Sequence, residues 1–132
     1  MEKIVFLDRD GTINEEVNYL HRTEDLKFLP GVPEALRLLK EAGFKLVVVT
    51  NQAGVARGYY TCADVEHLHA YMNEELKKYG AEIDAFYYCP HHPVHGIGIY
   101  KKVCQCRKPG TGMFLQAEER FRVDKAHSYM IG

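Results

Sequence analysis

Residues 6–14, FLDRDGTIN, set two aspartates one residue apart where an apolar run gives way to glycine. The run before them, KIVFL at 3–7, is short, apolar and bounded by charge, which predicts a buried strand. Asp8 and Asp10 are two apart, so in extended backbone their side chains face the same way. Two carboxylates crowded in a partly desolvated cleft repel each other by several kcal/mol at an effective dielectric of about 20. A proton on one of them, or a cation between them, must offset that repulsion. A hard divalent cation such as Mg²⁺ suits oxygen ligands of this kind. Gly11 permits a sharp turn, and the amides after it can face an anion. Read alone, DRDGT fits a plain polar turn after a strand equally well.

Outward from this stretch, strands and helices alternate. PGVPEALRLLKEAG (30–43) carries Val32, Leu36 and Leu39 at helical spacing, with Gly43 as its stop. KLVVVT (45–50) is apolar and β-branched, as a central parallel strand covered on both faces should be. Thr61 and Asp64 have capping-box spacing ahead of a helix bearing Val65, Leu68, Met72 and Leu76, which Gly80 ends. IDAFYY (83–88) predicts a third strand, GMFLQAEERF (112–121) a helix, and HSYMIG (127–132) a fourth strand. The alternation implies right-handed βαβ units: an α/β fold, a parallel sheet with helices on both faces. Ligands bind such sheets at the carboxyl ends of the strands. That rule selects Asp8, Asp10, Thr50, Asn51 and the loop after Tyr88.

The chain has 132 residues, enough for one domain with a real core, and a formal net charge of −1. No basic block suggests a nucleic-acid partner. No apolar run approaches the roughly 18 residues that span a bilayer, and IVFL after Lys3 is too short for a signal peptide. The expectation is a cytoplasmic, monomeric protein with a small-molecule substrate and no membrane partner. In a reducing compartment four cysteines argue for metal or free thiols over disulfides. CPHHP and CQC supply Cys89, His91 or His92, Cys104 and Cys106, the three thiolates and one imidazole that a structural Zn²⁺ prefers. Pro90 and Pro93 stiffen the first half of this segment. A Cys104–Cys106 bridge would close a strained ring. Cys62, in the first turn of a helix, is an ordinary half-buried thiol by this reading.

DRDGT, VVVTN and RKP, in this order at strand ends, resemble the haloacid dehalogenase (HAD) superfamily of phosphotransferases across the whole chain. The resemblance implies a Rossmann-like HAD fold. It makes Asp8 the nucleophile that forms an aspartyl-phosphate and Asp10 the acid/base. Thr50 would hydrogen-bond the phosphoryl oxygens and Lys108 would offset their charge. Mg²⁺ would be held by the Asp8 carboxylate and the Asp10 main-chain carbonyl. Independently, one anion attacking another needs cations between them. Thr50 merely ending a strand, and Lys108 as a solvated charge, are the plain readings of those two.

The segment 89–107, with C-x-H, a long loop and C-x-C-R-K-P, is similar to the heptose 1,7-bisphosphate 7-phosphatases within that superfamily. TNQAGVARGYY and YYCPHHP fit the same group. The resemblance implies zinc ligands Cys89, His91, Cys104 and Cys106, no large cap domain, and loops that select the substrate. It places Asn18, Tyr19, Asn51, Gln52 and Arg57 in the substrate site, with Arg107 binding the second phosphate. A planar guanidinium suits bidentate phosphate recognition. On the residues alone Arg57 is solvated and Tyr19 packs. His21, His67, His69, His95 and His127 are expected at the surface or in the core. The histidinol phosphatases carry a similar cluster with a shorter loop and give the alternative reading. The superfamily's fourth motif puts an acidic Mg²⁺ ligand just after the strand SYMIG, and this chain ends at Gly132. Either the C-terminal part of the sheet lies outside this sequence, or the metal site is depleted, which would leave a weakly active phosphatase; a truncated, inactive, zinc-stabilised phosphate-binding domain is the third reading.

Overall fold

The computed structural model of the protein describes residues 1–17, 19–92, 96, 98–101, 104, 106–108 and 110–132. Four parallel strands form one sheet in the order β3-β2-β1-β4, with β1 at Ile4–Leu7, β2 at Lys45–Asn51, β3 at Ala85–Cys89 and β4 at Tyr129–Ile131. The helices are α1 (Val32–Glu41), α2 (Ala53–Ala56), α3 (Cys62–Lys77) and α4 (Gly112–Arg120).

Period-two alternation sorts the sheet into two faces. Val5, Leu7, Leu46 and Val48 pack with Leu36 of α1 and with Met72 and Leu76 of α3. Ile4, Phe6, Val47 and Val49 pack with Met113 and Ala117 of α4. Helices thus cover both faces, as the alternating strand and helix signals require. No helix among the described residues is long and apolar enough to cross a membrane.

Local signals stop and start the elements where expected. Gly43 adopts φ +95°, and the amides of Gly43 and Phe44 return to the carbonyls of Lys40 and Leu39, closing α1. At α3 the Thr61 hydroxyl accepts from the Asp64 amide at 3.1 Å while the Asp64 carboxylate accepts from the Thr61 amide at 2.9 Å. Two strands are shorter than the sequence predicts. Asp84 is withdrawn from β3 because its carboxylate takes the Leu46 amide (2.8 Å) and Lys40 Nζ (3.1 Å). His127 sits in a 3-10 turn, Lys125–His127, and β4 starts only after Ser128, whose hydroxyl accepts from the Ile4 amide.

Helix α2 was not expected from periodicity. Its four residues are too few to display a helical stripe, yet it brings Gly54, Val55 and Ala56 into the interior just beyond β2. A Cβ on Gly54 would fall within the ring of buried Tyr60. Gly54→Ala is therefore expected to cost about 1–3 kcal/mol of stability through overpacking. Urea denaturation measures this, and an unchanged midpoint would mean that the Tyr60 ring moves freely aside.

Candidate active site and metal cluster

The carboxyl ends of β1 and β2, with the loop before α4, collect the predicted chemistry. Asp8 follows β1, and its amide donates to the Ile131 carbonyl of β4. Asp8 Oδ1 accepts from the Arg9 amide at 2.9 Å and pairs with Lys108 Nζ at 3.2 Å. Oδ2 of Asp8 takes no hydrogen bond among the described residues, and the side chain is 33% exposed. The nucleophile and lysine of the sequence reading are thus in contact, although 100 positions of chain separate them.

Asp10 is held differently. Its carboxylate accepts from Nε and Nη2 of Arg9, each at 3.1 Å, from Asn14 Nδ2 at 3.1 Å and from Gln52 Nε2 at 3.3 Å. A carboxylate offers about four lone-pair sites, so these donors hold it in one orientation. Asp10 stays 26% exposed and borders a cavity of about 510 Å³. Tyr19, Asn51, Gln52, Tyr60 and Arg107 also line that cavity. Asp8, Thr50, Arg57 and Lys108 lie outside its wall.

Several predicted residues do more, or other, than touch a substrate. Asn51 clamps the lysine loop: its Oδ1 accepts from the Lys108 amide at 2.8 Å and its Nδ2 donates to the Lys108 carbonyl at 3.3 Å. Thr50 is buried, and its hydroxyl accepts from Gln52 Nε2 at 2.9 Å. Gln52 Oε1 accepts in turn from Tyr60, at 2.7 Å. Burial pushes the Tyr60 hydroxyl up to about 12, so it remains a neutral donor at physiological pH. Tyr19 has φ +57°, meets Tyr59 edge-on, and lies under the Arg57 guanidinium at 5.9 Å. Arg57 Nε is buried with no hydrogen-bond partner among the described residues. Arg107 Nη1 reaches the His91 carbonyl at 3.4 Å, tying the cavity wall to the cysteine segment. Asn18 and Pro93 lie outside the described residues.

Cys89, His91, Cys104 and Cys106 converge, with all ligand atoms within 4.8 Å of one another. Cys104 Sγ is 3.2 Å from Cys89 and 3.1 Å from Cys106, and His91 Nδ1 is 3.3 to 3.7 Å from the three sulfurs. Ligands on one tetrahedral ion with bonds of about 2.0–2.3 Å are spaced similarly. The donor set and spacing fit a bound metal. Burial pushes the Cys89 and Cys106 thiols up, whereas hydrogen bonds from its neighbours bring Cys104 down despite its own burial. Cys62 stays apart, half-buried, with its sulfur 3.9 Å from the Tyr100 hydroxyl.

Two residues escape sequence reasoning. Arg9 is fully buried, and besides the Asp10 fork it reaches the Leu20 carbonyl (3.1 Å), Gln52 Oε1 (3.2 Å) and His69 Nε2 (3.2 Å). His69, on α3, is 4% exposed and stacks on Phe86 at 4.5 Å. Burial, then the Arg9 charge, lowers its pKa from 6.5 to about 3. The unfolded chain therefore takes up a proton before the folded one does. Stability is full above about pH 6.5 and falls as pH drops, by up to about 1.4 kcal/mol per pH unit until about pH 3. Denaturant titrations across this range should show the slope, and His69→Gln should flatten it by close to one proton.

The family model for polynucleotide kinase 3 phosphatase matches residues 3–132. The chain is 48% identical over 128 residues to the D-glycero-β-D-manno-heptose-1,7-bisphosphate 7-phosphatase of Escherichia coli O6:H1, covering 97% of this chain and 67% of that protein. A HAD-like phosphatase from Mesorhizobium loti superposes with a TM-score of 0.92 at 32% identity, over 99% of this chain and 63% of that one. D,D-heptose 1,7-bisphosphate phosphatase of Bordetella bronchiseptica, solved with magnesium and phosphate, gives 0.84 at 34% identity, over 98% and 69%. The chain thus spans about two thirds of the length of these relatives. With Asp8, Thr50, Asn51 and Lys108 at the carboxyl end of the sheet and this match along the whole sequence, the chain belongs to the polynucleotide kinase 3 phosphatase family and, among the HAD-like phosphatases, to the family of the heptose-1,7-bisphosphate 7-phosphatases.

Proposed function

We propose that this chain carries the catalytic core of a Mg²⁺-dependent phosphatase that removes the 7-phosphate of D-glycero-D-manno-heptose 1,7-bisphosphate. The observation that carries the reading is the Asp8–Lys108 pair at 3.2 Å, next to an acid/base candidate on a cavity that Arg107 also lines. Asp8 Oδ2, without a hydrogen bond among the described residues, attacks phosphorus while the bond to the sugar oxygen breaks. Asp10 gives that oxygen its proton. A water then attacks the aspartyl-phosphate, its proton passes to Asp10, and the Asp8–phosphorus bond breaks to release phosphate. Lys108 draws off charge on the nucleophile side, held in place by the Asn51 clamp on its backbone. Arg107 recognises the phosphate that is not cleaved.

Oxygen donors suited to a hard cation are in place: the Asp8 carboxylate, through the oxygen that does not attack phosphorus, and the Asp10 main-chain carbonyl, which no other described residue engages. They would hold Mg²⁺, which when bound supplies electrostatic stabilisation of the phosphoryl charge. Cys89, His91, Cys104 and Cys106 would hold a structural Zn²⁺, fixing the segment that carries Arg107 and Lys108. The enzyme acts as a monomer in the cytoplasm on a small sugar phosphate, without a nucleic-acid or membrane partner.

Asp8→Asn is expected to abolish release of inorganic phosphate from heptose 1,7-bisphosphate while leaving the thermal melt within a few degrees of wild type. Preferred turnover of histidinol phosphate would move the assignment to that substrate. Elemental analysis should find one zinc per chain. Chelation should lower Tm and Arg107-dependent substrate affinity together, and because the ligands must be deprotonated, metal should be released as pH falls. Protein that is zinc-free as purified, with an unchanged Tm, would sink the cluster assignment.

A further inference from the structure

The reading of Asp10 as the acid/base leaves open what aims its carboxylate, and the buried polar groups behind it bear on that. We infer that Arg9 is a positioning residue that fixes the Asp10 carboxylate for proton transfer, and that His69 fixes Arg9. The inference rests on the assignment of proton transfer to Asp10.

Arg9 is unsuited to meeting a ligand. Its side chain is fully buried and all three guanidinium nitrogens already have partners. A buried cation is tolerated only when its charge and donors are matched, and here the matching group is the carboxylate of Asp10. The fork is bidentate, so it sets the plane of the carboxylate as well as its distance. Lysine would keep the charge and lose that plane, being a point donor. Behind Arg9, an arginine nitrogen can only donate, so His69 Nε2 accepts and Nδ1 carries the hydrogen. Phe86 of β3 stacks on this imidazole, ring centroids 4.5 Å apart, and keeps the ring in place. The chain of contact runs from β3 and α3, through His69 and Arg9, to the carboxyl end of β1.

Proton donation matters for an alkoxide leaving group and little for p-nitrophenolate, which departs without a proton. The test is therefore kcat/KM for a sugar phosphate ester against p-nitrophenyl phosphate in the Mg²⁺-supplemented protein, for wild type, Asp10→Asn, Arg9→Lys, His69→Gln and His69→Leu. Misaiming a catalytic group costs about 10²-fold, so Arg9→Lys should lose that factor on the sugar ester and less than about tenfold on the aryl ester. His69→Gln, which keeps an acceptor, should stay near wild type. His69→Leu, which leaves Nη1 unmet in the interior, should lose about tenfold on the sugar ester alone. Equal losses on both esters by Arg9→Lys would reduce Arg9 to a structural ion and overturn the inference. If Asp10→Asn itself loses both esters equally, the acid/base assignment fails first; if it shows the selective loss and Arg9→Lys does not, only the positioning role fails. A readout independent of turnover comes from ¹H–¹⁵N spectra of metal-free protein. The Arg9 guanidinium signal should be protected from exchange in wild type and His69→Gln and lose protection in His69→Leu. Retained protection in His69→Leu would refute the His69 part even if Arg9→Lys fails to fold.

Discussion

A guanidinium with no access to water sits under the two aspartates that open the chain, and its need for partners organises this end of the sheet. Burying an unmatched cation is prohibitive, so Arg9 is stable only with acceptors on every side. Those acceptors come from four parts of the chain: Asp10 after β1, Leu20 in the following loop, Gln52 after β2 and His69 on α3. Two of them carry a second duty. Gln52 spans Asp10, Thr50 and Tyr60, and His69 braces against Phe86. The repulsion between Asp8 and Asp10 is thereby met twice, by Arg9 on one carboxylate and by Lys108 on the other.

The two cations reach the site in opposite ways. Arg9 is adjacent in sequence and locked in the interior. Lys108 arrives on a loop and has to be held there. Asn51 does this at the end of β2, using both ends of its amide on the Lys108 backbone. The cysteine cluster does it from the other side, joining Cys89 at the end of β3 to Cys104 and Cys106 just ahead of Arg107 and Lys108. A site built partly on loops gains precision from such supports, because each removes a freedom that the loop backbone would otherwise keep. Among the described residues, Tyr19, Gln52 and Arg107 line the cavity from loops.

The local signals for the fold were legible because they act over a few residues. The capping box at Thr61, the Gly43 stop and the apolar runs of β1 and β2 are each decided by neighbours in sequence. Where a distant partner competes, the reading slips. Asp84 leaves the predicted third strand for Leu46 and Lys40, and Ser128 turns aside to Ile4 and Asp124 before β4. The four-residue α2 lacks the length to show a period at all.

The site divides along the same line. Asp8, Asp10, Lys108 and the Cys/His set stand out by residue type, order and spacing when read together, although DRDGT alone fits a polar turn equally well. Arg9 and His69 carry no such mark: an arginine between two aspartates reads as a solvated charge, and a histidine mid-helix as packing. Their pairing joins positions 60 residues apart, and Asn51 meets Lys108 across 57. By itself the sequence determined which residue types stand at the strand ends and in the Cys/His segment. Only the tertiary structure decided which of them are buried, what each one leans on, and so which way the carboxylate of Asp10 points, because burial turns an optional hydrogen bond into an obligatory one.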